Sequence, residues 1–133
     1  MMKLEEFKVY QMAMELAEKI WKIVILWNQF EKDTIGKQLV KAADAIAANL
    51  SEGFGRFHYR ENRHFGYIAR GSLFETKTWL TKAFNRNLVD EKDFSVFMKN
   101  IDQVAVKLNR YLKAIGNTDV VDEGPESYGF PEQ

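Results

Sequence analysis

Ala45-Ile46-Ala47-Ala48-Asn49-Leu50-Ser51-Glu52-Gly53-Phe54-Gly55-Arg56-Phe57-His58-Tyr59-Arg60 changes character half way along. Its first half has the small and aliphatic residues of a buried helix, and continues backwards through Ala42, Leu39 and Ile35 at steps of three and four. Gly53 and Gly55 then weaken the helix near a turn. Beyond Tyr59 the helical spacing resumes, with Phe65, Ala69, Leu73, Leu80 and Phe84 on one face. Two helices joined by so short a break form a hairpin that pivots near residue 58.

The flanks repeat the pattern. Asp33 or Thr34 is a candidate cap for the helix that ends at Gly53, and Asn85 to Val89 reads as the next connection. Asp90, with Asp93 three residues on, caps a last helix whose stripe is Phe94, Phe97, Ile101, Val104, Leu108, Tyr111 and Ile115. The first helix carries two apolar stripes: Phe7, Tyr10, Met14, Ala17, Trp21, Val24 and, beside it, Ala13, Leu16, Ile20, Ile23, Trp27, Phe30. A helix apolar round so much of its circumference leaves part of itself wet in a monomer, which favours self-association. No strand pattern competes, so the expected fold is an all-α, up-down-up-down antiparallel four-helix bundle.

A chain of 133 residues, 46% apolar and 14% aromatic, is long enough for one sizeable core. Without cysteine it has neither disulfides nor thiolate metal sites, and nothing in it calls for an oxidising compartment. The start, Met1-Met2-Lys3-Leu4-Glu5-Glu6, lacks the basic and apolar regions of a secretory signal, and every long apolar segment carries charges. A cytoplasmic location without membrane spanning is the expectation. The formal net charge of zero is unevenly spread: the last fifteen residues hold Asp119, Asp122, Glu123, Glu126 and Glu132 and no lysine or arginine. What remains has 19 basic against 14 acidic residues. The chain therefore divides into a basic bundle domain, 1–117, and an acidic tail, 118–133, which Gly116-Asn117 separates from the last helix.

A pivot near residue 58 sets Lys41 opposite Glu75, Asp44 opposite Ser72 and Asn49 opposite Tyr67. Polar groups inside a helix interface cost about 1–3 kcal/mol each unless partnered, so Asn49, Glu52, Ser72 and Glu75 read as a polar set fixing the hairpin's register. Catalytic candidates are scarce. Glu61 and His64 have the spacing of one half of a bundle metal site, but such a site needs a second pair and two further glutamates, and the one other histidine, His58, falls in the turn, so neither a metal nor another cofactor is expected. No serine–histidine–aspartate arrangement or phosphate-cradling glycine pattern is evident, which points away from an enzyme. Arg56, Phe57, His58, Tyr59, Arg60, Arg63 and Arg70, with Lys37, Lys41 and Lys77, are the remaining constellation. Guanidinium groups that pair with phosphates, among rings that stack on unpaired bases, suit looped or single-stranded RNA.

The order Phe7 with Tyr10, then Gly36-Lys37-Gln38-Leu39, then Ile46-Ala47-Ala48-Asn49-Leu50-Ser51-Glu52-Gly53 resembles the intervening-sequence proteins encoded inside 23S ribosomal RNA genes of some bacteria. Arg63-His64-Phe65-Gly66-Tyr67-Ile68-Ala69-Arg70-Gly71-Ser72-Leu73-Phe74-Glu75-Thr76 is similar to that family's other signature, and the likeness runs from about residue 4 to 116. Leu50-Ser51 stands where the family commonly has isoleucine-alanine, and the acidic tail lies outside the likeness. The resemblance implies a four-helix bundle assembled as a homopentameric, barrel-like ring. It also implies kinship with the accessory variability determinant of diversity-generating retroelements, a ring that binds nucleic acid and associates with a reverse transcriptase. The combined expectation is a non-enzymatic homo-oligomer that binds nucleic acid, structured RNA foremost, through Arg56, Arg60, Arg63, Arg70, Lys37 and Lys41. The alternative is a scaffold ring that recruits a protein partner.

Overall fold

The computed structural model describes residues 2–56 and 58–118, and within them the chain is all helical. Most of the acidic tail, 119–133, lies outside the described residues. Four long helices are present: α1 (Lys8–Val24), α2 (Lys37–Phe54), α3 (Tyr59–Asn85) and α4 (Glu91–Thr118). α2 packs on α1 and α3, and α4 on α3 and α1, around one core. Among the described residues no helix is long and apolar enough to cross a membrane.

The stripes read from the sequence supply that core. Ile35, Leu39, Ala42, Ile46 and Leu50 are buried from α2 and its lead-in, Ala69, Leu73 and Leu80 from α3, and Phe97, Ile101, Val104, Leu108 and Ile115 from α4. Burying each leucine or isoleucine contributes about 1.5–3 kcal/mol. The two faces of α1 separate: Val9, Ala13, Leu16, Ala17, Ile20 and Val24 go inward, while Met14, Trp21 and Ile25 stay exposed. Phe7, just before α1, joins three helices, since its ring lies 5.5 Å from that of Phe54 and 4.7 Å from that of Tyr111.

The helix boundaries follow from local chemistry, with one correction. Neither Asp33 nor Thr34 caps the second helix. Asn28 does, in a reciprocal pair: its Oδ1 accepts from the Glu31 amide at 2.9 Å while Glu31 Oε1 accepts from the Asn28 amide at 3.1 Å. A turn at Gln29–Glu31 and a widened π-helical turn at Lys32–Gly36 then lead into α2. At Gly36 a Cβ would sit 2.9 Å from Val24 Cγ1, so this lead-in presses on the end of α1 where a side chain would not fit. α3 ends in a turn closed from the Leu88 amide to the Ala83 carbonyl, with Asn87 at φ 62°. Asp90 caps α4 as expected, accepting from the Asp93 amide at 2.7 Å, and Phe84 and Phe94 stack across this connection at 4.3 Å.

Candidate nucleic-acid interface

The α2–α3 connection forms one end of the molecule. Gly53, in the last turn of α2, lies so near α3 that a Cβ there would be 3.0 Å from the Asn62 carbonyl oxygen and 3.0 Å from Phe65 Cβ. These contacts place the hairpin pivot where the glycines announced it. Asn62 also ties in α4, because Tyr111 Oη donates to Asn62 Oδ1 at 2.5 Å. Burial pushes the Tyr111 phenol above its ordinary pKa, so it stays protonated and keeps donating.

Arg56, His58, Tyr59 and Arg60 are exposed around this end. Arg56 is braced twice, by an ion pair to Glu52 at 2.7 Å and by its guanidinium carbon 4.9 Å over the Phe65 ring. Tyr59 offers a half-exposed ring between the two arginines. Arg110 and Lys113 are also exposed, on the turns of α4 that flank Tyr111. The hairpin-centred reading of the sequence missed these two. Their spacing of three on a helix that returns to the same end was the available signal.

The six basic residues expected to form one surface do not. Arg63 and Arg70 are 1% and 3% exposed, so these two expected phosphate contacts are corrected to covered positions within the chain. Helical spacing puts Arg60, Arg63, Tyr67, Arg70, Phe74 and Lys77 on one face of α3. That face is exposed at Arg60, covered at Arg63 and Arg70, and exposed again at Phe74 and Lys77. The Arg70 guanidinium carbon lies 5.3 Å over the Phe74 ring. Lys37 and Lys41 are exposed but stand at the opposite end of α2, ~20–30 Å from Arg56 at the helical rise per residue.

The polar set expected to fix the hairpin register is corrected as well. Asn49 Nδ2 donates to the Ala45 carbonyl of its own helix at 2.8 Å, and Glu52 pairs along its helix with Arg56. Ser72 uses its backbone carbonyl to accept from Thr76 Oγ1, and Glu75 is exposed. Register comes instead from the close approach at Gly53 and from the apolar side chains between the helices. Glu61 and His64 both lie exposed on α3, and among the described residues no group of three or more metal-ligating side chains converges.

Four packed helices, with exposed Arg56, Tyr59, Arg60 and Arg110 at one end, make the described residues a four-helix bundle with a cationic, aromatic tip. The chain belongs to the family described as 23S rRNA-intervening sequence protein, whose profile matches residues 5–110. Among curated proteins no relative matches the chain.

Proposed function

We propose that this protein is a non-enzymatic, cytoplasmic nucleic-acid-binding protein whose ligand is structured RNA. The observation that carries the reading is the cationic and aromatic end: Arg56, Tyr59 and Arg60 on the hairpin, with Arg110 and Lys113 beside them, on a chain whose family is described by an rRNA insertion. Phosphates would take the guanidinium and ammonium groups, and Tyr59 would stack on an unpaired base. Arg56 is pre-positioned by Glu52 and Phe65, which lowers the ordering cost of binding.

The proposed assembly is a homopentameric ring of up-down-up-down antiparallel bundles. The contacts of Phe7 with Phe54 and Tyr111 at one end, and of Phe84 with Phe94 elsewhere, support alternating helix directions. Exposed Met14, Trp21 and Ile25, spaced along one side of α1, support burial against another copy. A ring would present several cationic ends to one RNA, raising avidity without new contacts.

The test is titration of the wild-type protein and the Arg56→Ala/Arg60→Ala variant into a fluorescently labelled structured RNA. The double variant is expected to bind more weakly, with a log–log salt slope shallower by about 2, while its sedimentation mass is unchanged. Equal affinity would remove this end from the binding surface. The alternative, a scaffold for a protein partner, draws on Leu26 and Phe30, 82% and 76% exposed at the other end of α1. Capture of a partner that survives nuclease and high salt would favour it.

A further inference from the structure

We infer that copies of this chain join head to tail: the exposed stripe of α1, with Asp44 beside it, seats in the groove between α1 and α4 of the next copy. The inference rests on the ring proposed above and names the two surfaces that close it. They are opposite in kind.

The first is apolar with an acidic centre. Met14, Trp21 and Ile25 are 42%, 49% and 45% exposed, and Glu18 falls between Met14 and Trp21 at the same helical spacing. Burial first, and then the negative charge of Glu18, raise the pKa of Asp44, so these two exposed carboxyls stand close to one another where α1 meets α2. Carboxylates that burden each other in this way are relieved by cations laid against them.

The second surface has an apolar lining and a basic rim. α1 and α4 touch least of the neighbouring helix pairs and leave an open groove of about 620 Å³ between them. Met12 and Val106 supply its apolar lining, and Lys8, Lys99 and Lys107, all exposed, stand round it. Asp102 lines it too, but pairs with Lys77 of α3 at 3.9 Å. Lys99 and Lys107 are ~12 Å apart along α4, close to the ~10 Å from Met14 to Trp21 along α1. A groove of this length takes Trp21 over Met12 and Val106, with Glu18 and Asp44 against the lysines.

Placement makes the contact head to tail. At ~100° per residue, Lys8 and Met12 lie ~120° round α1 from Met14, Glu18, Trp21 and Ile25, on the α4 flank rather than the α2 flank. Each copy therefore receives one neighbour while seating in another, which is the condition for a closed ring. Two stripes meeting face to face would instead bring together Glu18 and Asp44 of both copies, like charges whose juxtaposition opposes binding.

Sedimentation of the full chain, with variants at exposed positions, tests this. Trp21→Glu/Ile25→Glu spoils the stripe and leaves the groove; Lys99→Glu/Val106→Glu spoils the groove and leaves the stripe. Each alone is expected at the monomer mass of 15.5 kDa with its helical circular dichroism retained. An equimolar mixture is expected at twice that mass and no higher, because one intact stripe meets one intact groove. Charge exchange reads the same contact without touching the apolar residues. Glu18→Lys/Asp44→Lys and Lys99→Glu/Lys107→Glu should each weaken assembly by about tenfold or more, and a chain carrying all four changes should regain most of it. A groove variant that keeps the wild-type mass, or folded monomeric variants that form no heterodimer, overturns the inference while the ring stands on other surfaces. A monomeric wild type removes the ring and the inference together, and leaves the RNA reading to its own titration.

Discussion

Replacing Gly53 by alanine tests the close approach that builds the cationic end. A methyl group at this position would meet the Asn62 carbonyl oxygen at 3.0 Å, Phe65 Cβ at 3.0 Å and Asn62 Oδ1 at 3.1 Å. Two of these atoms belong to or adjoin the backbone of α3, so relief requires moving a helix rather than a side-chain tip. Overpacking of this kind costs about 1–3 kcal/mol, and the helix propensity gained from alanine returns at most about 1 kcal/mol, less in a final turn. The expected net loss is about 1–2 kcal/mol, a fall in Tm of about 4–8 °C for a chain of this size. Gly71→Ala is the internal control, since it lies in the middle of α3 with nothing within 4 Å of the new Cβ. It should gain about 0.5–1 kcal/mol. Thermal unfolding by circular dichroism, at one protein concentration because assembly shifts apparent Tm, reads both changes. If Gly53→Ala stabilises as much as Gly71→Ala, the contact between α2 and α3 at Gly53 is absent and the geometry of the end is refuted.

Two further outcomes follow from particular contacts. Tyr111→Phe removes the hydrogen bond to Asn62 and is expected to cost about 1 kcal/mol at neutral pH, read by urea unfolding. Because the folded pKa of Tyr111 is raised, its contribution is fully present below the pKa of an unfolded tyrosine and is lost as pH rises through the folded value. The stability gap between wild type and Tyr111→Phe should therefore narrow in that alkaline range, and a gap that widens would contradict the assignment. On the exposed side of α1, Trp21→Glu with Ile25→Glu should lower the sedimentation mass while leaving the helical circular dichroism intact. An unchanged mass would place any contact between copies elsewhere.

Most of the fold was legible because helical spacing is a strong signal when caps and apolar stripes agree. In α4 the Asp90 cap and the apolar stripe point to one answer: of its seven positions Phe97, Ile101, Val104, Leu108 and Ile115 are buried, and Phe94 and Tyr111 half-buried. The start of the second helix is hidden from periodicity because Trp27 and Phe30 continue the spacing of α1 on either side of the capping Asn28. Periodicity shows which residues share a face, but not what lies against it. Arg63 and Arg70 share a face with exposed Arg60, yet are covered, and nothing in their spacing distinguishes the two conditions. Asn49 and Glu52 were misjudged for a related reason. Facing positions across a hairpin compete with partners one turn away on the same helix, and here the local partners, Ala45 and Arg56, prevail.

The measurement that bears most directly on the proposed function is the salt dependence of RNA binding by the wild-type protein, followed by fluorescence anisotropy. If Arg56, Arg60, Arg110 and Lys113 each neutralise a phosphate, affinity should fall roughly 10²-fold between about 50 and 200 mM salt through release of condensed counterions. Binding that is absent at the lower salt, or present but insensitive to salt, would contradict the account and leave the cationic end without its ligand.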